Sequence, residues 1–239
     1  MNFINLVRNT LNFLDDINQK KIINLISLKL KEKATIIDVG AHFGETISKF
    51  NKKFPLKKIY SFEASPINFK VLQNNISKFD MSKVEIFNYA LGEREFDSFI
   101  NQTIESSSST INQINNNSNY FLRKMRVLNV KKKNQFYKKI PIKIVTLDNF
   151  IEKKNISKID LLKIDTEGYE LNVLKGIVKN YKIIRLIYFE HHYDDMIIKN
   201  YKFREINQLL NNFGFKKIFK SKMLFRKSFE YVYENRNNN

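Results

Sequence analysis

The chain has 239 residues, and 42 lysines and arginines against 24 aspartates and glutamates give it a net charge of +18. Apolar residues make up 43% and aromatics 13%, enough for a substantial core, which excludes wholesale disorder. Cysteine is absent, and with it disulfide scaffolds, thiolate metal sites and cysteine nucleophiles. The length suits one α/β domain rather than two. No run approaches the 18 or so apolar residues of a transmembrane helix. The opening Met1-Asn2-Phe3-Ile4-Asn5-Leu6 lacks the basic and apolar regions of a secretory signal, so the expected compartment is the cytoplasm.

In chain order, Phe3, Val7, Leu11 and Leu14, then Ile22, Ile23, Ile26 and Leu30, fall at helical spacing on either side of Asp15-Asp16. They predict two amphipathic helices within residues 1–33 that pack on a later core. Thr35–Val39 predicts a strand ending in a Gly40–Gly44 turn, with a helix through Phe50. Lys58–Glu63 predicts a second strand, after which Ser65 and Pro66 read as the cap and first residue of a helix striped by Phe69, Leu72, Ile76 and Phe79. A third strand is expected from Lys83 to Ala90, stopped by Gly92. Residues 94–145 break the rhythm and predict an insertion of irregular β structure or loop that covers an active site. Thr146 starts a short helix, Ile159–Asp165 a fourth strand, and Glu167–Leu174 a helix ending at Gly176. A fifth strand over Ile183–Phe189 ends in Glu190-His191-His192. A helix around Arg204–Asn212 and two strands near Phe215–Phe219 and Met223–Tyr233 follow. Repeated βα units closed by such a pair predict residues 34–239 to form a Rossmann-like α/β domain, with a mostly parallel twisted sheet, helices on both faces and a C-terminal antiparallel pair.

The scarce residues point to chemistry. All three histidines, His42, His191 and His192, are expected just beyond the carboxyl ends of parallel strands, where open α/β sheets bind ligands. The turn Asp38-Val39-Gly40-Ala41-His42-Phe43-Gly44-Glu45 lets the backbone approach a ligand closely, and Glu63, 25 residues after Asp38, ends the next strand. A carboxylate there accepts ribose hydroxyls. The loop is G-x-x-x-G rather than G-x-G-x-x-G, and an acid precedes its first glycine by two residues. That acid suits the ammonium group of S-adenosylmethionine, which a nicotinamide dinucleotide lacks.

These motifs, with Ser61-Phe62-Glu63-Ala64-Ser65-Pro66, Asn88-Tyr89-Ala90-Leu91-Gly92 and Thr146-Leu147-Asp148-Asn149-Phe150, resemble those of FkbM-type methyltransferases. The most distinctive block is Leu162-Lys163-Ile164-Asp165-Thr166-Glu167-Gly168-Tyr169-Glu170, followed by Leu174-Lys175-Gly176 and Phe189-Glu190-His191. The resemblance spans roughly residues 34–215 and departs at Ala64, where the family often has proline. It implies S-adenosylmethionine as cofactor and a hydroxyl of a sugar, glycan precursor or natural product as acceptor. Asp38, Gly40 and Gly44 would then surround the methionine part, Glu63 the ribose and the Asn88–Leu91 turn the adenine. With their neighbours, the implied cofactor set is Asp38, Gly40, Ala41, His42, Phe43, Gly44, Glu45, Glu63, Ala64, Asn88, Tyr89, Ala90 and Asp165.

Methyl transfer needs in-line alignment and a base for the hydroxyl proton. His191 and Glu190 are the first candidates for that base, then Asp165; the resemblance implies that Glu167 would lie with Asp165 at the end of the fourth strand, between cofactor and acceptor. His192 reads as a packed residue. A metal held by the two histidines and Asp165 is conceivable, but adjacent side chains diverge, and no metal ligand is assigned. Lys163, unusual in a buried strand, is expected to pair with Asp148 or Glu170 or to reach the cleft.

Between Tyr120 and Lys143 lie nine basic residues and no acid. This stretch steers anionic substrates, touches an anionic membrane at its inner face, or is a solvated lysine-rich loop. It motivates two rivals to the leading reading: an RNA methyltransferase, and a catalytically silent module docked at a membrane. No Asp/Asn-Pro-Pro-Tyr motif supports a nucleic-acid base as acceptor.

Overall fold

A computed structural model describes residues 19–30, 32–77, 79–80, 82–223 and 227–236. The first of the two expected N-terminal helices lies outside them. Residues 19–29 form helix α1, which buries Ile22, Ile23 and Ile26. Strand β1 (Ala34–Val39) is buried along its whole length and leads through the glycine turn into α2 (Glu45–Lys53). Then come β2 (Leu56–Phe62), α3 (Pro66–Ile76) and β3 (Val84–Phe87). The second half holds α5 (Leu147–Lys154), β7 (Ile159–Ile164), α6 (Glu170–Lys175), β8 (Ile184–His192), α7 (Phe203–Asn212), β9 (Phe215–Lys222) and β10 (Ser228–Asn235).

The main sheet has the order β3-β2-β1-β7-β8-β10-β9. β1 pairs in parallel with both β2 and β7, so the chain winds to one side of β1 and then to the other. That reversal opens a crevice above the carboxyl ends of β1 and β7. β10 runs antiparallel to both neighbours, which supplies the expected C-terminal antiparallel pair. Successive strand residues face opposite layers, and the core divides accordingly. Ile36, Leu161, Leu186 and Val232 pack with Ile22, Phe50 and Leu72 of α1, α2 and α3. Ile37, Leu162, Ile187 and Phe189 pack with Phe150, Val173 and Leu210 of α5, α6 and α7.

The structure corrects four boundaries. The expected third strand breaks at Asn88-Tyr89, because the Asn88 side chain bonds the Glu63 and Ala64 carbonyls (2.9 and 3.2 Å) and turns the chain away. Residues beyond it form β4 (Ala90–Leu91), which joins β5 (Phe96–Thr103) and β6 (Tyr137–Val145) in a separate three-stranded sheet. The insertion also contains a helix, α4 (Asn119–Val127), capped by the Ser118 hydroxyl and buried through Phe121 and Met125. Helix α6 starts later than expected, since Glu167 (φ 50°) and Gly168 (φ 95°) adopt left-handed conformations. Finally, Glu190, His191 and His192 belong to β8 itself rather than to a loop beyond it, because β10 keeps pairing with them.

One close approach has a large stability consequence. Gly40 (φ +85°) lies against β7 so tightly that an added Cβ would fall 1.8 Å from the Asp165 carbonyl oxygen. Gly40→Ala is therefore expected to destabilise the protein by about 4 kcal/mol, because backbone must shift against backbone. Urea unfolding checks this, and an unchanged midpoint would contradict the close packing.

Candidate active site

A cavity of about 720 Å³ opens at the crevice, lined by the glycine turn, Glu63, Ala64, Tyr89, Ala90, Lys163, Asp165, Glu167 and Glu190. Ser106, Ser107, Ser109, Thr110 and Ile111 of the insertion also line it, so the insertion covers the site as its position suggested. Thr110 Oγ1 donates to the Glu167 carbonyl (2.7 Å), fastening this cover to the end of β7.

The glycine turn is built from both ends. Gly40 and Ala41 N–H groups both donate to the Phe62 carbonyl (2.9 Å each), and Gly44 enters α2 at φ 94°. His42 is itself left-handed (φ 48°). Its backbone N–H donates to Glu63 Oε2 at 2.8 Å, and its ring reaches Ser106 Oγ at 2.7 Å and Glu45 at 3.2 Å. Glu63 Oε1 accepts from the Ser65 N–H at 2.9 Å. Ser65 caps α3 as expected, accepting from the Asn68 N–H. Burial raises the Glu63 carboxyl to about 7, despite the opposing hydrogen bonds from Ser65 and His42. Asn88 is absent from the wall and acts as the brace behind it.

Asp38 is fully buried and does not line the cavity. It sits beside Lys163 in register on β1 and β7, and the ammonium Nζ lies 3.2 Å from Asp38, 3.4 Å from Asp165 and 3.4 Å from the Gly40 carbonyl. Burial alone would favour neutral Lys163, but the two carboxylates outweigh it and hold the ammonium above the usual lysine range. Lys163 thus reaches the cleft and pairs with Asp38 and Asp165. Asp148 instead accepts from the Lys179 and Asn180 backbone, and Glu170 from Tyr201 and the Gly168 N–H.

Neither of the two adjacent histidines lines the cavity, and both are buried. His191 is 2% exposed, off the cavity wall, and packed among Tyr193, Tyr201 and Phe203. Burial, reinforced by the charges of Lys199 and His192, lowers it to about 3, so the ring is neutral and turned away. His192 stands behind the wall formed by Glu167 and Glu190. Its Nε2 lies 3.2 Å from Glu167 and 3.5 Å from Glu190, and its Nδ1 lies 3.4 Å from Asp194. Burial opposes its charge, yet these carboxylates raise it to about 10. The two rings part company because neighbours on a strand face opposite layers, which separates them as metal ligands. Among the described residues, no group of three or more His, Asp or Glu side chains is arranged to hold a metal. Histidine NMR checks the assignment: one imidazole is expected to stay protonated at pH 8 and another to stay neutral at pH 5. Loss of these signals in His192→Gln and His191→Gln respectively identifies them, and ordinary titration of both near 6.5 would contradict it.

Of the nine basic residues between Tyr120 and Lys143, Lys124 is turned inward to a Glu105 pair at 2.5 Å, and the other eight are exposed. Among the described residues, no helix is long and apolar enough to cross a membrane.

This sheet order, with a single reversed strand and a ligand cavity above the switch point, defines a Rossmann-like methyltransferase fold. The family model described as the methyltransferase FkbM domain matches residues 38–217, and the chain belongs to the FkbM methyltransferase family. It is 24% identical over 151 residues to Methyltransferase 1 of Beauveria bassiana (strain ARSEF 2860), covering 59% of this chain and 57% of that protein. It is 27% identical over 171 residues to Methyltransferase sdnD of Sordaria araneosa, covering 65% of each. The match thus spans less than two thirds of either curated relative. Among solved structures, methyltransferase FkbM from Methylobacillus flagellatus KT shares the fold with a TM-score of 0.54 at 14% identity. That likeness covers 84% of this chain and 43% of that one.

S-adenosylmethionine is the methyl donor that membership of this family implies. The residues present fit it. The volume lies within the usual range for small-molecule sites. Buried Glu63 offers a carboxylate for a ribose, and Tyr89 and Ala90 form an adjacent wall. Asp165 and the backbone of the glycine turn stand where a cationic amino-acid part would lie.

Proposed function

We propose that the protein transfers the methyl group of S-adenosylmethionine to a hydroxyl of a sugar or glycan precursor, with Glu190 as general base. The supporting observation is Glu190 itself. It lines the cavity, is 7% exposed, and its Oε1 has no hydrogen-bond partner, although His192 lies 3.5 Å away. A carboxylate on the cavity wall can accept the proton of a hydroxyl placed against it. When bound, S-adenosylmethionine supplies a methyl on a positively charged sulfur, which keeps the S–C electron pair as the acceptor oxygen forms the new O–C bond. Glu190 takes the hydroxyl proton, and charged His192 positions Glu190 against Glu167. The Gly40–Gly44 turn and Glu63 fix the donor side, and residues 106–111 limit entry of water over the top.

Of the two first candidates from sequence, Glu190 is preferred to His191, whose ring packs in the aromatic cluster and is absent from the cavity wall. The experiment is mass spectrometry of glycans incubated with the protein and methyl-labelled cofactor. A single added labelled methyl on oxygen supports the reading; label on no glycan counts against it.

The eight exposed basic residues favour a second reading with RNA as acceptor, in which binding weakens steeply with salt. Against it, the cavity end beyond the glycine turn is lined by Asp165, Glu167 and Glu190, which repel phosphate. The same exposed basic residues would hold a cytoplasmic protein against an anionic membrane surface, where lipid-linked glycan precursors are met.

A further inference from the structure

Lys163 stands in a polar row that crosses the main sheet at the carboxyl ends of its strands. Strand register sets Ser61 of β2, Asp38 of β1, Lys163 of β7 and Tyr188 of β8 side by side, so their side chains leave the same face of the sheet. All four are buried. Two residues earlier on that face, Ile59, Ile36, Leu161 and Leu186 form a row that is wholly apolar and fully buried. At the two ends of the polar row, Ser61 Oγ donates to Asp38 Oδ2 (3.3 Å) and the Tyr188 hydroxyl donates to Glu230. The ammonium lies in the middle.

A buried ion pair adds little to stability, because desolvation offsets most of the attraction, and an apolar pair of similar volume is often no worse for the fold. What the ammonium of Lys163 does is join three parts of the donor site. Its Nζ lies 3.2 Å from Asp38 Oδ1 near the end of β1, 3.4 Å from the Gly40 carbonyl in the glycine turn and 3.4 Å from Asp165 Oδ2 just beyond β7. Asp38 is inside the core, whereas Gly40 and Asp165 line the cavity. These three oxygens match the three N–H donors of an ammonium, so Lys163 acts on a ligand through them rather than by touching it. The backbone already ties the same segments together. The Asp165 N–H donates to the Val39 carbonyl (2.9 Å), and a Cβ added at Gly40 would meet the Asp165 carbonyl. Lys163 extends that tie to the Asp165 side chain. A carboxylate with one oxygen drawn to a buried ammonium has its plane fixed, and with it the direction of the second oxygen.

We propose that Lys163 is a positioning residue for the amino-acid part of S-adenosylmethionine, holding the Asp165 carboxylate and the Gly40 carbonyl where they meet that part of the donor. The inference rests on the donor that the family implies and is independent of which acceptor is methylated. If Lys163 served only to neutralise buried Asp38, removing both charges together would leave ligand binding intact. If it positions Asp165 and the turn, that double removal still weakens the donor.

The test is isothermal titration of the full chain with S-adenosylhomocysteine and with methylthioadenosine, which carry the same adenosine and thioether and differ in the amino-acid part. Lys163→Met is expected to weaken S-adenosylhomocysteine binding by about tenfold while changing methylthioadenosine binding by less than about twofold. Asp38→Asn combined with Lys163→Met leaves no unpaired charge between β1 and β7, and is expected to fold and to show the same selective loss. Circular dichroism checks the fold of each variant, and the double variant decides if the single one does not fold. Equal weakening of both ligands, unchanged S-adenosylhomocysteine affinity, or recovery in the double variant overturns the inference and leaves the methyl-transfer reading standing. Loss of fold in both variants assigns the lysine to the framework and likewise overturns it. Wild-type protein that binds neither ligand overturns the inference together with that reading.

Discussion

Glu63→Gln is expected to weaken S-adenosylmethionine binding by about tenfold to a hundredfold, the worth of one or two hydrogen bonds to a charged group. In the free protein the Glu63 carboxyl is raised to about 7, since burial outweighs the Ser65 and His42 N–H groups that favour its charge. Ribose hydroxyls donating to it would stabilise the ionised form further. The pKa must then fall on binding, and up to about half a proton per molecule leaves at pH 7. Affinity should accordingly rise from pH 5 towards 7 and level off above it. Titration calorimetry in two buffers of different ionisation enthalpy measures the released proton directly. Glu63→Gln should lose both the proton release and the pH slope, whereas a flat wild-type profile would contradict the assigned role.

Glu190→Gln is expected to lower methyl transfer by about a hundredfold to ten-thousandfold, the usual range for a general base, with a much smaller effect on cofactor affinity. The matched control is His191→Gln. Its ring lies off the cavity wall, so turnover should fall by less than about tenfold if the protein folds. The reverse ranking, with His191 essential and Glu190 dispensable, would move the base to the other of the two candidates the sequence offers. Both rates are read from labelled methyl incorporated per minute into the same glycan pool.

The halves of the site differ in how plainly the sequence shows them. The donor side follows from local pattern: glycines at 40 and 44 mark where φ becomes positive, and Ser65-Pro66 marks the start of α3 beside Glu63. Such features depend on a few neighbouring residues, so spacing alone exposes them. The acceptor side depends on pairing across the sheet. Whether Glu190, His191 and His192 lie on a strand is decided by β10, some forty residues later. Their strand conformation then dictates which histidine faces the cavity side, a consequence of period-two alternation. Lys163 carried a readable signal, a charge within an apolar strand, and its partner Asp38 occupies the matching position on β1. Recognising that pair requires the parallel register. The helix in the insertion also had a pattern, Ser118 followed by Phe121, Met125 and Leu128, hidden among basic residues that suggest a loop.

The most direct measurement is a crystal structure of the protein soaked with S-adenosylhomocysteine. The ribose hydroxyls are expected within hydrogen-bond distance of the Glu63 carboxylate, with the amino-acid tail over the Gly40–Gly44 turn and the sulfur towards Asp165 and Glu190. A nucleoside bound elsewhere, or the Glu63 carboxylate still closed on His42 and Ser65 with no ligand against it, would contradict the account.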